Sequence, residues 1–507
     1  MLAQVQSAAL RGIDAFPVSV EVDVSFGLPV FAMVGLPDAS VRESRDRVRA
    51  AIRNSGFEFP SHRITVNLAP ADVRKAGASF DLPIAVAILA ASGLAPRHDP
   101  ARIAIIGELS LDGAVLPTRA VLPVAIGLRR AGVEALLLPA ANAPEAAVVE
   151  ALRVVPIATL GEAVARLQEP PDTWPVAPPV SAPAAHSSAD LDLADVRGQA
   201  AARRALEIAA AGGHHMLFVG PPGAGKTLLA RRMPGILPAL PFEEALDVTA
   251  IHSVAGVLAP GSGLIVSRPF RAPHHTASDA ALVGGGALPR PGDISLAHHG
   301  VLFLDELPEF SRRALEALRQ PLEEGVVRIA RASGTVAFPA QFTLVAAMNP
   351  CPCGYAGQST RPCRCTPMAV SRYHERVSGP LRDRLDLTVA LAPVTFDTLT
   401  TATPGEPSGD VRRRVEAART RQSARRAATG VVLNSRLPPS ALAQVSRLDA
   451  VATRHLAAAA TRLALSGRAV HRTLRVARTI ADLDARDEVG AEHVLEALQF
   501  RAGDTAQ

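Results

Sequence analysis

Eight consecutive residues near the middle of the chain constrain its fold more than any other stretch. They read Gly220-Pro-Pro-Gly-Ala-Gly-Lys-Thr227, a G-x-x-x-x-G-K-[ST] pattern. The apolar run Met216–Val219 before them predicts a buried strand, and residues 228–233 after them favour a helix. A glycine-rich loop between a strand and a helix lets backbone N–H groups and the positive helix end surround a phosphate. The sequence therefore predicts a phosphate-binding loop in an α/β domain.

Every position of this loop is a candidate for nucleotide binding. The residues are Gly220, Pro221, Pro222, Gly223, Ala224, Gly225, Lys226 and Thr227. In such loops the lysine reaches the β- and γ-phosphates of ATP, and the hydroxyl ligates Mg²⁺. Only two of the 53 basic residues are lysines, Lys75 and Lys226. A compact ammonium and a planar guanidinium are not interchangeable, so the remaining lysines mark positions where arginine would fail.

Two further apolar runs end in polar residues that can act on a nucleotide. Val301–Leu304 precedes Asp305 and Glu306, and Thr343–Met348 precedes Asn349. Open parallel sheets bind ligands at the carboxyl ends of their strands, so these side chains are expected to face the loop. We expect Asp305 to hold Mg²⁺ through water and Glu306 to activate the attacking water as general base. Asn349 can sense the γ-phosphate or orient that water.

Composition divides the 507 residues into four segments. A chain of this length predicts two to four domains, since single cores rarely exceed about 300 residues. Strand and helix patterns alternate over 1–167, and a proline-rich stretch at 168–189 is typical of a semi-extended linker without a core. Repeated strand-then-helix units over 190–395 predict a parallel sheet. Residues 396–507 are arginine-rich and helical in pattern.

The overall composition narrows the class of protein. Hydrophobic residues make up 48% and charged residues 20% of the chain, as in globular proteins. The sequence has neither a run of about 20 uncharged apolar residues nor a signal-peptide pattern, so we expect a soluble, cytoplasmic protein without membrane contact. The net charge of +5 is too small for this length to indicate nucleic-acid binding by itself.

Longer motifs carry a resemblance to a known family. They are Arg268-Pro-Phe-Arg-Ala-Pro-His-His-Thr-Ala-Ser-Asp279, Ile294-Ser-Leu-Ala-His-His-Gly300, Phe303-Leu-Asp-Glu-Leu-Pro-Glu-Phe310, Asn349-Pro-Cys-Pro-Cys-Gly354 and Val476-Ala-Arg-Thr-Ile-Ala-Asp-Leu483. With them the chain resembles, over essentially its whole length, the Mg-chelatase-like AAA+ ATPases and, within these, the ComM/YifB group. The resemblance implies an α/β multidomain protein with an AAA+ P-loop core of αβα layers around a parallel sheet, followed by a C-terminal helical lid.

The same resemblance assigns roles to residues outside the loop. Asn349 becomes the first sensor, and Arg384 the arginine finger that reaches a neighbouring subunit's γ-phosphate. Arg468 becomes the second sensor, on the lid. Arg382 lies in the same loop as Arg384 and is the alternative for the finger. A finger supplied by a neighbour implies head-to-tail subunits and therefore a ring, expected to be a homo-hexamer.

Residues 1–167 resemble the proteolytic domain of Lon-type Ser-Lys proteases, an α+β fold. Residues 67–81 resemble the segment around the nucleophile, with Ser79 at the serine position, and residues 107–117 resemble the strand-turn-strand before the catalytic lysine. Leu122 stands where that lysine would be, and Lys75 lies only four residues before Ser79 on the same segment. A serine without a base is a weak nucleophile. We therefore expect an inactive domain used in ring assembly or partner contact.

All four cysteines fall within fifteen residues, as Cys351-Pro-Cys353 and Cys363-Arg-Cys365. Two such pairs in the loop 351–365 suggest four thiolates on one tetrahedral, structural Zn²⁺. The spacing is tighter than the usual C-x₂₋₄-C, so an unliganded loop is the alternative. Disulfides are not expected in a reducing cytosol. Histidine pairs occur at 214–215, 274–275 and 298–299. We expect the two adjacent side chains of each pair to diverge and to be structural.

An insertion rich in glycine, proline and histidine, 268–293, precedes the strand before Asp305. The resemblance implies that it lines the ring's pore, where Arg268, Arg271 and Arg290 would follow a phosphate backbone. A packing loop is the alternative.

The ComM group is associated with DNA branch migration and helicase action during the integration of transforming DNA. We therefore expect a hexameric motor on single-stranded or branched DNA that uses ATP and Mg²⁺. A protein-remodelling or chelatase-type ATPase acting on a protein partner is the alternative. An ATP-dependent protease is disfavoured by Leu122.

Overall fold

The computed structural model describes residues 1–71, 75, 77–178, 191–259, 261–286, 289–331, 334–358, 361–394 and 405–501. Parts of the segments named above lie outside these ranges, among them the end of the proline-rich stretch, both ends of the helical segment, and residues within 67–81, 268–293 and 351–365. The described residues form two large sheets with helices around them and a helical C-terminal unit, so the predicted α/β class is confirmed. None of their helices is both long and apolar enough to cross a lipid bilayer.

The N-terminal domain is built on a mixed sheet of seven strands. In spatial order they are Phe31–Val34, Arg63–Ala69, Asp14–Ser25, Leu2–Arg11, Ile103–Ile105, Ala135–Pro139 and Arg153–Ile157. A separate hairpin pairs Glu108–Leu109 with Val115–Leu116. The helices are Ala39–Asn54, Asp81–Ala91, Val121–Arg130, Ala143–Ala146 and Leu160–Gln168. Alternate residues such as Val18, Val20 and Val22 are fully buried, because successive side chains of a strand face opposite sides of the sheet.

The helix Asp81–Ala91 lies at the centre of this domain, and every one of its residues is buried. A helix that is apolar on all sides belongs in a core. Its one charge, Asp81, pairs with Arg47 at 2.7 Å and accepts the Leu109 N–H at 3.3 Å. Burial raises the pKa of Asp81, and the ion pair opposes that rise. Removing Arg47 would leave an uncompensated buried carboxylate, a loss of about 3–5 kcal/mol.

The proline-rich stretch begins inside this domain, not after it. Trp174 is only 4% exposed and belongs to the N-terminal core, and its indole N–H donates to the Glu169 carbonyl at 3.2 Å. The Ala177 N–H donates to the Val154 carbonyl at 2.8 Å. The expectation that this stretch packs against no core is therefore wrong for its first part. One large aromatic ring buries enough apolar surface to hold an extended, proline-rich chain in place.

The second sheet consists of five parallel strands. In spatial order they are Phe270–Arg271, Val301–Leu304, Thr343–Met348, Met216–Val219 and Leu387–Ala390, which is 2-3-4-1-5 when they are numbered along the chain. The three strands predicted from apolar runs are confirmed with the expected bounds. Parallel strands place all their carboxyl ends at one edge. The loop 220–227, Asp305 and Asn349 therefore follow three adjacent strands of that edge.

Short helices and two hairpins surround this sheet. The helices are Ala200–Gly212, Lys226–Ala230, Met233–Ile236, Phe242–Ala255, Asp279–Val283, Asp293–Leu296, Arg312–Ala317, Arg319–Glu324, Pro367–Glu375 and Gly379–Arg382. The hairpins pair Gly284–Gly285 with Arg290–Pro291 and Val326–Arg331 with Gly334–Pro339. The helix predicted over 228–233 is instead two helices that separate around Arg231. Pro234 explains the break, because proline has no N–H to donate to the carbonyl four residues earlier, that of Ala230, and its ring would clash with that carbonyl in a continuous helix.

The described part of the C-terminal unit contains six helices: Ser408–Ala424, Arg426–Thr429, Pro439–Ser446, Ala450–Arg462, Gly467–Leu483 and Ala491–Gln499. Their apolar side chains share one core with the parallel sheet. A buried polar contact joins the two units, since His214 Nε2 lies 2.8 Å from Thr479 Oγ1 and His214 Nδ1 lies 3.3 Å from Asp386 Oδ2. The helical unit is therefore packed firmly beside the sheet.

The N-terminal domain also packs on the second domain. Leu122 is completely buried in a small cluster that includes Val148 of its own domain and Ala245 of the helix Phe242–Ala255. Glu145 lies at the same contact, where it accepts the Leu122 N–H at 2.9 Å and the Ser253 hydroxyl. Leu122, which the sequence resemblance places at the lysine position of Lon-type proteases, is thus part of an interdomain contact in this chain.

Candidate functional site

The loop 220–227 joins its strand to the helix Lys226–Ala230 at the carboxyl edge of the parallel sheet. Gly223 and Gly225 have φ values of +78° and +89°, a left-handed conformation that glycine adopts without a steric penalty. A Cβ on Gly220 would lie 2.9 Å from the Cβ of Leu391, so no side chain fits there. These glycines allow the tight turn that leads directly into a helix N-terminus, the arrangement that binds phosphate.

Lys226 connects the loop to the neighbouring strand end. Its Nζ donates to the Pro221 carbonyl at 3.0 Å and to Asn349 Oδ1 at 2.9 Å. Burial lowers the pKa of Lys226, and the negative charges of Asp305 and Glu306 oppose that shift. An anionic phosphate in the loop would act in the same direction as these carboxylates and stabilise the ammonium.

Thr227 and Asp305 are in direct contact, with Thr227 Oγ1 donating to Asp305 Oδ2 at 2.6 Å. The hydroxyl comes from the first turn of the loop helix, and the carboxylate follows the strand Val301–Leu304. Hydroxyl and carboxylate oxygens are ligands that Mg²⁺ takes together with phosphate oxygens. The donor set formed by these two residues therefore fits Mg²⁺.

Glu306 lies at a sharp turn after this strand. Its φ is +51°, and its backbone N–H donates to Asp305 Oδ1 at 3.0 Å. Its side chain is 52% exposed, and Oε2 lies 3.3 Å from Nδ1 of His275. The sequence patterns did not indicate His275 as a partner of Glu306, because the two residues lie on separate segments of the chain.

The expectation that adjacent histidine side chains diverge is wrong for two pairs. The rings of His274 and His275 lie 4.2 Å apart, and those of His298 and His299 lie 4.0 Å apart. Both pairs occur where the chain turns, and a turn brings successive side chains to one side. His298 is buried and accepts the Gln341 N–H at 2.9 Å, a structural contact, and burial lowers its pKa to about 2.

The arginines expected to act as finger and second sensor, Arg384 and Arg468, make their described contacts away from the loop. Arg384 pairs with Glu323 and donates to the Pro380 carbonyl. Arg382 donates to the His374 carbonyl. Arg468 is exposed in the first turn of Gly467–Leu483 and makes no ion pair within the described ranges. No contact among the described residues joins Arg384 or Arg468 to the loop.

The four cysteines converge although they come from two ends of a loop. Their Sγ atoms lie within 4.8 Å of one another, with 3.4 Å between Cys351 and Cys353 and 3.7 Å between Cys351 and Cys363. A tetrahedral site with Zn–S distances of about 2.3 Å needs sulfurs about 3.8 Å apart. Hydrogen bonds from the Arg364 and Tyr355 backbones lower the pKa of Cys353 to about 6, whereas burial and the neighbouring thiols raise the pKa of Cys363 and Cys365. Geometry and donor chemistry both fit zinc.

This cysteine loop touches the phosphate-binding loop. A Cβ placed on Gly354 would lie 2.7 Å from Cδ of Pro222 and 3.8 Å from Cγ of Asn349. The backbone of Gly354 therefore lies directly against the phosphate-binding loop, beside the asparagine that receives the Lys226 hydrogen bond.

The three insertion arginines have different environments. Arg268 is buried and pairs with Glu244 at 3.0 Å, so the expectation that it contacts a phosphate backbone is wrong. Arg271 pairs with Asp293 at 2.8 Å. Arg290 is exposed and forms no ion pair with the described residues. Whether each of these arginines is buried or forms an ion pair depends on how the insertion folds, and the sequence pattern does not show this.

Arg331, on a separate hairpin, lies close to the strand Gly284–Gly285, which pairs with the strand of Arg290. A Cβ on Gly285, the strand partner of Arg290, would lie 3.3 Å from an Arg331 Nη. Arg331 is exposed and, like Arg290, unpaired with any described carboxylate. We refer to Arg290 and Arg331 as the arginine pair.

Gln199 is a further residue at the site that the sequence patterns did not indicate. Its Nε2 donates to the Ala224 carbonyl at 3.2 Å and to the Ala392 carbonyl at 2.8 Å. One side chain therefore connects the start of the helix Ala200–Gly212 to the phosphate-binding loop and to the end of the outer strand. A lone glutamine before a helix carries no motif that would have revealed this.

The strand order of the parallel sheet and the residues at the ends of its strands define the class of protein. A parallel sheet of order 2-3-4-1-5 that carries a phosphate-binding loop after its first strand, acidic residues after its third and a helical unit at its side defines a P-loop ATPase of the AAA+ class.

Sequence comparisons define the family within this class. Family models described as "Magnesium chelatase, subunit ChlI", "Subunit ChlI of Mg-chelatase" and "Magnesium chelatase, subunit ChlI C-terminal" match residues 192–399, 20–142 and 405–501. The protein YifB of Escherichia coli is 44% identical over 505 residues, 99% of this chain and 97% of YifB. Competence protein ComM of Haemophilus influenzae is 43% identical over 506 residues, again 99% and 97%. The chain belongs to the ComM/YifB family of Mg-chelatase-like AAA+ ATPases.

The N-terminal region has a second similarity. A Lon protease of Chloroflexus aurantiacus is 32% identical over 167 residues, which make up 30% of this chain and 20% of that protein. The N-terminal domain is therefore Lon-protease-like, as the sequence resemblance implied.

Proposed function

We propose that this chain couples ATP hydrolysis to movement on single-stranded or branched DNA, as a helicase or branch-migration motor in recombination or natural transformation. In the nucleotide site, Lys226 and the loop 220–227 would bind the phosphates, and Thr227 and Asp305 would hold Mg²⁺. Glu306 would take the proton of the attacking water, and Asn349 would orient it. The contacts Thr227–Asp305 and Lys226–Asn349 support these roles, because they bring three strand ends to one centre.

The arginine pair is the observation that carries DNA as the substrate. Arg331 reaches the strand partner of Arg290, and both arginines are exposed without a described carboxylate partner, whereas Arg268 and Arg271 are paired. Like charges brought together on a surface repel each other unless an anion binds between them. A phosphate backbone supplies such anions without demanding sequence recognition. The name of the Haemophilus influenzae relative, a competence protein, is consistent with DNA as the partner.

ATP turnover measured without DNA and with single-stranded, forked and four-way DNA tests this function. We expect DNA to raise the turnover, and the double variant Arg290→Ala/Arg331→Ala to lose most of the rise while keeping the basal rate. Arg454→Ala is the matched control, because Arg454 is also exposed and unpaired among the described residues but lies on the helix Ala450–Arg462. If none of these DNA molecules changes the ATP turnover but a protein partner raises it, the protein-remodelling or chelatase-type alternative is favoured.

We also propose that the ATPase works as a homo-hexameric ring in the cytoplasm, where DNA and ATP are both present. Arg384 would complete the site of the neighbouring subunit, and Arg468 would contact the nucleotide bound in its own subunit when the lid closes. The position of both arginines away from their own loop supports a role that needs a second subunit or a lid movement. A monomer in the presence of ATP, seen by mass photometry, would contradict the ring.

The cysteine loop is proposed to hold a structural Zn²⁺. Its ligands would be Cys351, Cys353, Cys363 and Cys365, whose sulfur spacing fits a tetrahedral site. Metal analysis of the purified chain should find one zinc per subunit, and the variant Cys363→Ser/Cys365→Ser should lose it. A chain that contains no zinc after purification under reducing conditions would contradict this assignment.

The N-terminal domain is proposed to have no proteolytic activity and to act as a docking domain. Leu122 occupies the lysine position and is fully buried against the ATPase domain. Lys75, the only lysine of the domain, is buried and donates to the Pro70 carbonyl. ATP-dependent cleavage of an unfolded protein by the purified chain would contradict this assignment.

A further inference from the structure

We infer that Ile13 is a positioning residue through which the N-terminal domain holds the hairpin of Val326–Arg331 and Gly334–Pro339, called here the Arg331 hairpin. The inference rests on the proposed function, because it takes the arginine pair as the place where DNA binds. It goes beyond that function by giving the protease-like domain a task in DNA binding, although every residue proposed for the nucleotide site lies outside this domain.

The Arg331 hairpin forms a two-stranded sheet of its own. A hairpin of two strands is marginally stable in water unless one of its faces packs on another element. Directly opposite residues of antiparallel strands share a face, and here the pairs on one face are Val327 with Phe338, Ile329 with Val336, and Arg331 with Gly334. The first pair is buried, and Arg331 is exposed at the end of the same face. Whatever covers the apolar part of this face therefore fixes where Arg331 lies.

Two elements from distant parts of the chain cover this face. A Cβ on Gly284 would lie 3.1 Å from Ile329 Cδ1, so the strand of that glycine covers the first strand of the hairpin. A Cβ on Gly12 would lie 2.9 Å from Val336 Cγ1, so the N-terminal domain covers the second strand. Ile329 and Val336 are cross-strand partners, and the next pair on this face contains Arg331. The N-terminal domain therefore contacts the hairpin one pair away from the arginine.

The contact comes from the tight turn of Gly12 and Ile13 between the strands Leu2–Arg11 and Asp14–Ser25. Gly12 has a φ of +71°, a left-handed conformation that glycine adopts without a steric penalty. Ile13 is partly buried and packs on the apolar cluster of the second domain, to which Ile329 belongs. Two-residue turns favour glycine, asparagine and aspartate, so the isoleucine serves the contact and not the turn.

The turn can hold the hairpin because its domain is attached to the ATPase domain at other places. Leu122 and Glu145 contact the helix Phe242–Ala255, and the Gly261 N–H donates to the Ala141 carbonyl at 3.2 Å. These contacts fix the position at which the turn meets the hairpin. Without the turn, only a fraction of the molecules would keep Arg331 in place, and the apparent affinity for DNA falls with that fraction.

Ile13→Ala in the full-length chain is the direct test, with Ile13→Val as the conservative variant. Anisotropy of a labelled single-stranded oligothymidylate, with a non-hydrolysable ATP analogue present, gives the dissociation constant. We expect Ile13→Ala to weaken DNA binding by about tenfold, the result of a tenfold smaller population of ordered hairpins. Ile13→Val keeps the β-branched contact and should bind like the parent. ATP turnover without DNA and at saturating DNA should be unchanged, because the nucleotide site is intact.

Hydrogen–deuterium exchange without DNA measures the hold on the hairpin directly. The amides of Val326–Arg331 and Gly334–Pro339 should exchange faster in Ile13→Ala than in the parent chain. The strand Met216–Val219 should exchange at the parent's rate, since it lies in the parallel sheet away from the turn. Faster exchange in both places indicates general destabilisation and overturns the assigned role.

Gly12→Ala and Gly93→Ala add a matched pair of variants in the same domain. The two glycines have similar φ values of +71° and +76°, but a Cβ on Gly93 would meet nothing within 4 Å. Only Gly12→Ala forces the turn away from Val336. DNA binding should weaken in Gly12→Ala alone, and an equal loss in Gly93→Ala would count against the contact.

Binding of DNA by Ile13→Ala with the parent's affinity overturns the inference, as does hairpin exchange at the parent's rate. These outcomes are separable from failure of the proposed function. If the parent chain binds no DNA, the proposed function fails, whereas the hold of Ile13 on the Arg331 hairpin is still judged by the exchange rates.

Discussion

The two lysines of this arginine-rich chain are both buried. Lys226 is 9% exposed and Lys75 is completely buried, with its Nζ donating to the Pro70 carbonyl. A guanidinium is larger and planar, and it presents five donors that a small buried site cannot satisfy. At both positions the compact ammonium is therefore the cation that fits. Lys226 also lies near Asp305 and Glu306 and follows a glycine-rich loop, and for this reason we propose it as a nucleotide ligand.

Glu306 is the residue that we propose as the general base of ATP hydrolysis. We predict that Glu306→Gln binds ATP and Mg²⁺ with parent-like affinity, since Thr227, Asp305 and Lys226 are unchanged. Its turnover should fall by at least about 10²-fold, because a positioned general base contributes on that scale. Titration with a fluorescent ATP analogue and a steady-state phosphate-release assay would measure the two quantities. Near-normal turnover would falsify the assignment of Glu306 as the base.

The cysteine loop carries no proposed catalytic group but contacts the phosphate-binding loop. It follows Asn349 directly, and its Gly354 lies against Pro222 of the phosphate-binding loop. Four sulfurs on one metal would hold the loop in this position more firmly than its backbone hydrogen bonds alone. The proposed zinc is therefore expected to stabilise the geometry of Lys226 and Asn349 and not to take part in chemistry.

Substitution of Gly354 tests this element. Gly354→Ala would place a Cβ 2.7 Å from Pro222 Cδ, so one of the two loops must move. We expect ATP turnover to fall by roughly 10- to 100-fold, since small displacements of a positioned site have effects of that size. The metal content should stay unchanged.

Gly357→Ala is the matched control for that substitution. Gly357 lies in the same loop with a similar φ of +75°, but a Cβ there would meet nothing within 4 Å. Both variants therefore carry the same backbone strain, and only one carries the clash. Equal losses of turnover in the two variants would rule out the contact with Pro222 as the cause.

The proposed ring belongs to the scale of the whole molecule. Arg384 is held by Glu323 and the Pro380 carbonyl within one chain, away from its own phosphate-binding loop. The N-terminal domain packs on the helix Phe242–Ala255 through Leu122 and Glu145, so each subunit would move as one body within a ring. If a neighbouring subunit completes each ATP site in this way, the chain hydrolyses ATP only when it is assembled.

Mixing two inactive variants tests this sharing. Arg384→Ala and Glu306→Gln should each lose hydrolysis when alone, the first by about 10³-fold or more, the scale of an arginine finger. In mixed rings the Arg384→Ala subunit keeps Glu306, and its Glu306→Gln neighbour supplies Arg384. Phosphate release should therefore reappear on mixing.

Co-purification of the two variants through different affinity tags establishes that mixed rings form. Mixed rings that remain inactive would show that Arg384 does not act on a neighbour. Arg382→Ala in place of Arg384→Ala repeats the test for the alternative finger.

Much of the nucleotide site was predictable from short segments. The strands Met216–Val219, Val301–Leu304 and Thr343–Met348 and the polar residues after them are local patterns, because a buried strand needs a continuous apolar run and a phosphate loop needs glycines at fixed spacing. The convergence of the strand ends also follows, since parallel strands finish at one edge. Sequence alone therefore determined the α/β class, the phosphate-binding loop and the acidic pair.

The tertiary structure alone decided which distant side chains meet. It buried Arg268 with Glu244, placed Arg331 against Gly285, packed Leu122 between two domains and brought His275 to Glu306. Such contacts join segments that are separated along the chain, and their formation depends on the strand order and the path of each insertion. A phosphate-binding loop is specified by its neighbours in sequence, whereas the contact between His275 and Glu306 is specified by packing, because no local pattern encodes the distance between two segments.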